Sequence, residues 1–208
     1  MMKFTFRLKA AHCLSAMTLL AISLCAFAGN AEHANADANG DHLPGDSVYQ
    51  LHPALVDQDG EPFKLADLRG RPVVVSMFYN SCQFVCPMLI DTVRATQDRL
   101  SAEERSRVTM LLVTFDPARD DVGVLKSVAD KHQLDREHWT LARTDPAMVR
   151  KLAAVLHIQY KLLSNGDYNH STALILLDDN GRILGQTSKL GGVDNEFLKL
   201  VQHAARDK

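Results

Sequence analysis

Short apolar runs rich in β-branched residues alternate with longer amphipathic segments through most of this chain. The run at 71–79, RPVVVSMFY, is almost continuously apolar, as expected for a strand that is covered on both faces of a parallel sheet. Residues 108–115, VTMLLVTF, form a second run of this kind, and residues 139–143, WTLAR, a shorter third. Strands that alternate with helices predict an α/β fold, with a central sheet and helices on its faces.

Amphipathic segments follow each of these three strands. The first, 87–100, repeats apolar residues at helical spacing and begins with Pro87, which suits the first helical position. The second, 120–133, begins at two aspartates, either of which could cap a helix, and the third, 145–156, opens with Asp-Pro. The remaining predicted elements are two hairpins with Asp-Gly or Asp-Asn-Gly turns, at 54–65 and 172–186, and a final helix at 194–205.

The predicted order from Val73 onward is strand, helix, strand, helix, strand, helix, then a hairpin and a last helix. This is the plan of a thioredoxin-like domain, so we predict a mixed central sheet flanked by helices, with an N-terminal hairpin before it. Functional groups in open α/β sheets collect at the carboxyl ends of the parallel strands. Cys82 and Cys86 follow the strand at 71–79 directly, so the chemistry of the chain is expected at this edge.

The first 28 residues have the pattern of a signal peptide. A basic start precedes an apolar core at 16–27, and Ala-Phe-Ala at 26–28 is a cleavage signal. Cleavage predicts export to the periplasm, an oxidising compartment. One alternative is an uncleaved membrane anchor, although the apolar core is short for a span. Another is lipidation of Cys25, although a bulky leucine precedes it.

Residues 29–46 are small and polar, which predicts a flexible linker before a single domain at 47–208. We assign His33 and His42 in this linker to solvent and not to a metal site. The whole chain has 23 basic and 25 acidic residues, and loss of the three basic residues at 1–28 leaves 20 against 25, a net charge of −5. This balance argues against a nucleic-acid partner, since proteins that bind nucleic acids usually present a basic surface.

Cys82 and Cys86 are the only cysteines that would remain after cleavage, and three residues separate them. Thiolates at a helix N-terminus are favoured, which predicts low thiol pKa values that would serve redox chemistry and metal binding alike. Two sulfurs are too few for a structural zinc site but match Cu(I), which is soft and accepts two or three ligands. The pair could instead be a redox-active dithiol, or a structural disulfide, which would add little stability across so short a loop.

His170 is the candidate third ligand. In a thioredoxin-like domain, a proline in the loop before the hairpin strand usually faces the cysteines, and here His170 occupies that place. Met88 could offer a thioether, but a methionine at a helix start is more typical of the core. The other histidines of the domain are predicted to be surface or capping residues: His52, His132, His138, His157 and His203.

Three segments, FYNSCQFVCP, VTFDPARDD and DYNHSTALILLDDNGRI, resemble in this order the Sco/SenC family of copper-binding thioredoxin-fold proteins. The resemblance extends over roughly residues 50–205. It implies that Cys82, Cys86 and His170 bind copper, and that the protein assists assembly of the copper centre of cytochrome c oxidase. The implied partners are a copper-receiving protein such as oxidase subunit II, and a thiol-disulfide reductant. The alternative is a metal-independent thiol-disulfide oxidoreductase that keeps the cysteines of its client reduced.

The chain departs from the family pattern at two places. Typical members have proline and an acidic residue between the cysteines, where this chain has Gln-Phe-Val at 83–85, and they often have aspartate where this chain has Asn169. The three implied ligands are intact, so these departures affect the expected partner more than copper binding. For Asp116, Arg119 and Asp120 the resemblance implies a place beside the site, whereas the residues alone equally suggest a turn that starts the next helix.

Overall fold

We describe a computed structural model of the chain over residues 42–82 and 85–207. The predicted signal peptide at 1–28, residues 29–41 of the predicted linker, and the first two residues between the cysteines lie outside these ranges. Cleavage and linker flexibility therefore stay predictions. Within the described ranges, no helix combines the length and the apolar character that crossing a membrane would require.

Most of the strands form one mixed sheet. The described strands are β1 (Ala54–Asp57), β2 (Pro62–Lys64), β3 (Val73–Phe78), β4 (Thr109–Thr114), β5 (Trp139–Arg143), β6 (Tyr160–Leu162), β7 (Tyr168–His170), β8 (Leu174–Leu177) and β9 (Ile183–Thr187). The main sheet has the order β2-β1-β5-β4-β3-β8-β9. The central strands β3, β4 and β5 are parallel, while β1 runs antiparallel to β5 and β8 antiparallel to β3. β1 and β2 pair antiparallel, as do β8 and β9, while β6 and β7 form a separate two-stranded sheet.

The helices accompany this sheet. They are α1 (Val85–Asp98), α2 (Ala102–Arg107), α3 (Val122–Lys131), α4 (Pro146–Val155) and α5 (Asn195–Arg206), with 3₁₀ helices at Val48–Leu51 and Leu65–Leu68. The side chains of Ser101, Asp121, Asp145 and Asp194 accept backbone N–H bonds at the starts of α2 to α5. Pro87 is the third residue of α1 and not the first, but it still lies in the first turn, where helix N–H groups have no partner within the helix.

The core explains why these segments become strands. Every residue of β3, β4 and β8 is buried, because helices or neighbouring chain cover both faces of the central sheet. β3 and β4 pair in register up to Phe78 and Thr114, so the chain leaves both strands at the same edge. That edge therefore receives the cysteine segment from β3 and the segment Phe115–Asp120 from β4.

The predicted mixed central sheet flanked by helices is confirmed, and the strands and helices lie within a few residues of their predicted bounds. Besides the two short 3₁₀ helices, one helix and one hairpin were not predicted. One is α2, which begins with a capping box in which Ser101 and Glu104 bond reciprocally to each other's backbone N–H groups. The other is the hairpin β6–β7, whose turn contains Gly166 at a φ of 85°, a conformation that favours glycine.

Candidate metal centre

The two cysteines lie where β3 ends and α1 begins. Cys86 is in the first turn of α1 and only 3% exposed, while Cys82 precedes the helix and is half-buried. The backbone N–H of Tyr79 donates to the Cys86 Sγ at 3.5 Å, and the N–H of Cys82 donates to the Tyr79 carbonyl at 3.3 Å. Both cysteines are therefore tied to the end of the central strand through Tyr79.

Asp120 holds the turn that leads from β3 to the cysteines. Its carboxylate accepts the backbone N–H of Asn80 at 3.1 Å and the hydroxyl of Thr114 at 2.5 Å. The side chain is 1% exposed, and burial raises the pKa of Asp120 above its ordinary value. Asp121, and not Asp120, caps α3, so Asp120 takes the place beside the site that the family resemblance implies.

Burial also raises the pKa of the Cys86 thiol, and Cys82 and Asp120 raise it further, although the bond from the Tyr79 N–H opposes them. The low pKa predicted from the helix N-terminus is therefore wrong for Cys86. Desolvation of the thiolate outweighs the helix dipole in this position. A cation that binds Cys86 must consequently displace a proton from the thiol.

His170 is the last residue of β7 and reaches the site from the hairpin and not from a simple loop before β8. Its Nδ1 lies 3.1 Å from the carbonyl oxygen of Ser171 and 3.4 Å from the hydroxyl of Thr172. A proton on Nδ1 satisfies this carbonyl and leaves the lone pair of Nε2 for a metal ion.

Aromatic rings from both sheets surround the imidazole of His170. Tyr79 and Phe115, from the ends of β3 and β4, have ring centroids 5.7 and 5.0 Å from the imidazole. Tyr168 packs edge-on against both of these rings at 5.2 and 5.1 Å, and Tyr160 stacks on Phe115 at 5.3 Å. The imidazole therefore rests on the carboxyl edge of the main sheet.

The ligand atoms of Cys82, Cys86 and His170 all lie within 4.8 Å of one another. Metal distances of about 2.3 Å for a thiolate and about 2.0 Å for an imidazole put the ligands of one three-coordinate ion roughly 4 Å apart. A small inward movement would thus close the three groups around a single ion. Two sulfurs and an imidazole form a soft donor set that suits Cu(I). The described parts of the chain contain no second group of His, Cys, Asp or Glu side chains with this geometry.

The other candidates do not join this group. Met88 is 45% exposed, so its predicted place in the core is wrong, because the buried face of α1 contains Cys86 and Leu89 and Met88 lies on the opposite face. The histidines predicted to be surface or capping residues are exposed or half-buried: His52, His132, His138, His157 and His203. His52 is the C-cap of the 3₁₀ helix Val48–Leu51, and His132 is the C-cap of α3.

Comparison with known proteins identifies the family of this chain. The family model described as SCO1/SenC matches residues 45–204. The chain belongs to the SCO1/SenC family. A protein of Stutzerimonas stutzeri, which has the provisional name of a copper-binding protein, is 28% identical to this SCO1/SenC chain over 156 residues, or 72% of this chain and 75% of its own.

Two solved structures are similar to this SCO1/SenC protein. A SCO1/SenC family lipoprotein of Bacillus anthracis has a TM-score of 0.66 at 24% identity, over 74% of this chain and 92% of its own. Arabidopsis thaliana ScoI, solved with copper bound, has a TM-score of 0.61 at 16% identity, over 74% of this chain and 96% of its own. At these identities the two structures establish a shared thioredoxin-like fold.

Sequence reasoning missed the aromatic residues that support the site of this SCO1/SenC protein. Tyr79 and Phe115 directly follow the two buried strands, and Tyr168 comes two residues before His170. The alternation of Tyr168 and His170 beside an Asn-Gly turn is a hairpin signal that was present in the sequence. The contacts of Arg119 were not predictable in this way, since its partner Gly166 is 47 residues away along the chain.

Proposed function

We propose that this SCO1/SenC protein binds one copper ion through Cys82, Cys86 and His170 and passes it to a copper-receiving protein. The proposal rests on the three ligand atoms, which lie within 4.8 Å of one another although His170 is 84 residues from Cys86 in the sequence. It is supported by a relative named for copper binding and by a structural neighbour with copper bound. Two thiolates and an imidazole bind the soft ion Cu(I) in preference to harder cations.

The two cysteines have unequal roles in this proposal. Cys86 is almost fully buried and its thiol has a raised pKa, so it binds the ion only as it releases its proton. Cys82 is half-buried, so an incoming ligand from a receiving protein reaches it first. Ion transfer then proceeds by ligand exchange that begins at Cys82 and ends at Cys86.

In this proposal the receiving protein is subunit II of cytochrome c oxidase, where the ion joins the copper centre, or a related copper enzyme. The same dithiol could reduce the cysteines of the receiving site, after which a thiol-disulfide reductant would restore Cys82 and Cys86. We further propose that the chain acts in the periplasm, exported by the segment at 1–28 and either released or anchored. The name of the Bacillus anthracis lipoprotein is consistent with membrane association in this family.

A metal-independent thiol-disulfide oxidoreductase is the second candidate. Cys82 and Cys86 are present as thiols whose sulfurs lie within 4.8 Å, and a local approach to about 2.05 Å would form a disulfide. In this mechanism two electrons and two protons leave the pair as it reduces a client disulfide. His170 would have no necessary part in that exchange.

Anaerobic Cu(I) titration against a chromophoric chelator tests the proposal. The wild-type protein is expected to take up one tightly bound equivalent, and His170→Ala to bind roughly 100-fold more weakly, since even residues that only support a ligand cost about 10–100-fold. His203→Ala, which changes an exposed histidine of α5, is the matched control and should leave the affinity unchanged. An unaltered affinity in His170→Ala, with client reduction that persists in a copper chelator, would favour the oxidoreductase instead.

A further inference from the structure

We infer that Arg119 is a positioning residue that fixes the hairpin β6–β7 against the main sheet and so sets the place of His170 relative to the two sulfurs. This inference deepens the proposed function and rests on His170 acting as a ligand. It concerns how the third ligand is held, because the hairpin that presents it has little support of its own.

The hairpin lacks backbone pairing to the rest of the fold. Among the described strands, β6 and β7 pair only with each other. The leucines at and just after the end of β6, Leu162 and Leu163, are 57% and 40% exposed, so the apolar contact of the two strands with the core comes mainly from Tyr160 and Tyr168. A two-stranded hairpin of this kind is only marginally stable by itself. Side-chain contacts with the main sheet must therefore hold it in place.

Arg119 makes such a contact at the tip of the hairpin. Its Nη2 donates to the carbonyl oxygen of Gly166 in the turn between β6 and β7, at 2.7 Å. Its Nε donates to the carboxylate of Asp116, the second residue after the end of β4. The guanidinium group is a rigid planar fork, so the two bonds fix the turn relative to the main sheet.

Asp116 is a firm anchor for this fork. It is 3% exposed, and its backbone N–H donates to the Thr114 hydroxyl at 3.0 Å. Its second carboxylate oxygen accepts the hydroxyl of Tyr168, on β7, at 3.3 Å. The guanidinium carbon of Arg119 lies 5.7 Å from the centre of the same Tyr168 ring. Arg119 and Asp116 thus hold both the turn and the second strand of the hairpin.

Tyr168 connects this contact to the metal ligands. Its backbone N–H donates to the hydroxyl of Tyr79 at 3.5 Å, and its ring packs against the ring of Tyr79. Tyr79 is the residue whose own N–H donates to the Cys86 Sγ, and its ring lies edge-on to His170. Displacement of the hairpin tip would therefore move His170 relative to Cys86.

The opposite end of the hairpin is closed by other bonds, which makes the tip the end that Arg119 controls. The N–H of Ser171 donates to the Gln159 carbonyl at 2.8 Å, and the Ser171 hydroxyl accepts the Gln159 N–H at 2.9 Å. With this base closed, loss of Arg119 should let the hairpin pivot instead of unfolding. The expected consequence is a misplaced imidazole in a folded protein.

Three variants separate positioning from simple charge neutralisation. Arg119→Gln removes the fork but leaves a buried carboxylate at Asp116 without its counter-charge, which could destabilise the fold. The double variant Asp116→Asn with Arg119→Gln removes both charges and also removes the fork. Arg150→Gln is the matched control, because Arg150 lines the same surface cavity as Tyr160 but has no hydrogen bond to the hairpin within the described chain.

The first test is amide hydrogen exchange without copper. Arg119→Gln and the double variant should exchange faster than wild type over residues 160–170, while β3 and β4 keep their protection and Arg150→Gln matches wild type. Faster exchange in the double variant shows that the lost fork, and not an unpaired carboxylate, loosens the hairpin. Unchanged protection of 160–170 in both Arg119 variants would overturn the inference.

The second test is Cu(I) affinity in a double-mutant cycle with His170→Ala. Arg119→Gln alone should weaken binding about 10-fold, in the range expected for a residue that orients a ligand. In the His170→Ala background it should cause no further loss, because Arg119 acts through the imidazole. Additive losses would overturn the inference. An unchanged affinity for His170→Ala alone would refute the proposed ligand set, and with it the claim that Arg119 places a ligand.

Discussion

The main sheet and the hairpin β6–β7 contribute to one site but are built on different principles. All residues of β3 and β4 are buried, whereas the residues of β6 and β7 are exposed or half-buried. The cysteines follow β3 and are tied to it through Tyr79, while His170 belongs to the hairpin. The site therefore combines two candidate ligands tied to the end of β3 with one candidate ligand held by side-chain contacts.

This difference fits the proposed function, in which the protein both binds and releases an ion. The three ligand atoms spread over as much as 4.8 Å, and a single three-coordinate ion needs them roughly 4 Å apart. Cys86 has little freedom to close that gap, because it is only 3% exposed and movement there would disturb the packing around it. We expect the hairpin to supply most of the movement, and the following changes test this division.

The largest expected effect comes from matched leucine truncations in the two regions. Leu111→Ala in β4 removes a fully buried side chain and should lower the free energy of unfolding by about 2–5 kcal/mol. Leu162→Ala in β6, where the side chain is 57% exposed, should change it by no more than about 0.5 kcal/mol. Urea denaturation measures both values. Equal losses would show that the hairpin is part of the cooperative core, contrary to the comparison.

A smaller effect is expected for Glu104→Gln, which alters a side chain of α2, a helix that is far from the hairpin in sequence. The Glu104 carboxylate accepts the N–H of Ser101 at 2.8 Å and pairs with Arg206 of α5 at 2.5 Å. The substitution should lower the free energy of unfolding by about 1 kcal/mol at pH 7 and leave Cu(I) affinity unchanged. Glu103→Gln, in an exposed pair with Arg107, is the control and should have a smaller effect.

The Glu104 effect should also depend on pH. The bonds from Ser101, followed by Arg206, hold the pKa of Glu104 below its ordinary value. A lowered folded-state pKa stabilises the protein fully above the unfolded-state pKa of about 4.3, and that stabilisation is lost as the pH falls through the lower folded-state value. The difference between wild type and Glu104→Gln should therefore shrink in acid. A constant difference from pH 7 to pH 3 would mean that the carboxylate charge has no part in it.

Apart from the control variants, the smallest effect on global stability is expected for Tyr168→Phe, which removes only the hydroxyl that donates to Asp116 at 3.3 Å. The loss should be at most about 1 kcal/mol in the free energy of unfolding, with faster amide exchange confined to the hairpin. Tyr160→Phe is the matched control. Among the described residues the Tyr160 hydroxyl has no hydrogen-bond partner, while its ring, which phenylalanine keeps, packs on Phe115. Equal exchange rates in the two variants would argue that the hydroxyl bond does not hold the hairpin.

The same division explains what the sequence could predict. β3 and β4 were predictable because burial on both faces leaves an unbroken apolar run in the chain. Strands of three residues, such as β6 and β7, are too short to show a reliable alternation, so the hairpin was missed although its Asn-Gly turn is visible. The position of His170 close to the two cysteines was nevertheless predicted, because it follows from the order of the larger elements.

Other features of the site depend on tertiary packing. The raised pKa of Cys86 reflects burial, which outweighs the helix position that the sequence does show. The bond from Arg119 to Gly166 joins segments whose separation along the chain gives no local signal. Helix starts gave a clearer local signal: one of two aspartates was expected to cap α3, which Asp121 does, and the Asp-Pro start predicted for α4 is confirmed by Asp145.

Copper K-edge X-ray absorption on the protein loaded with one equivalent of Cu(I) tests the central claim most directly. We expect two sulfur ligands at about 2.3 Å and one nitrogen ligand at about 2.0 Å, with the nitrogen contribution lost in His170→Ala. Spectra with the same sulfur and nitrogen ligands in wild type and His170→Ala would contradict the claim that the hairpin supplies the third ligand.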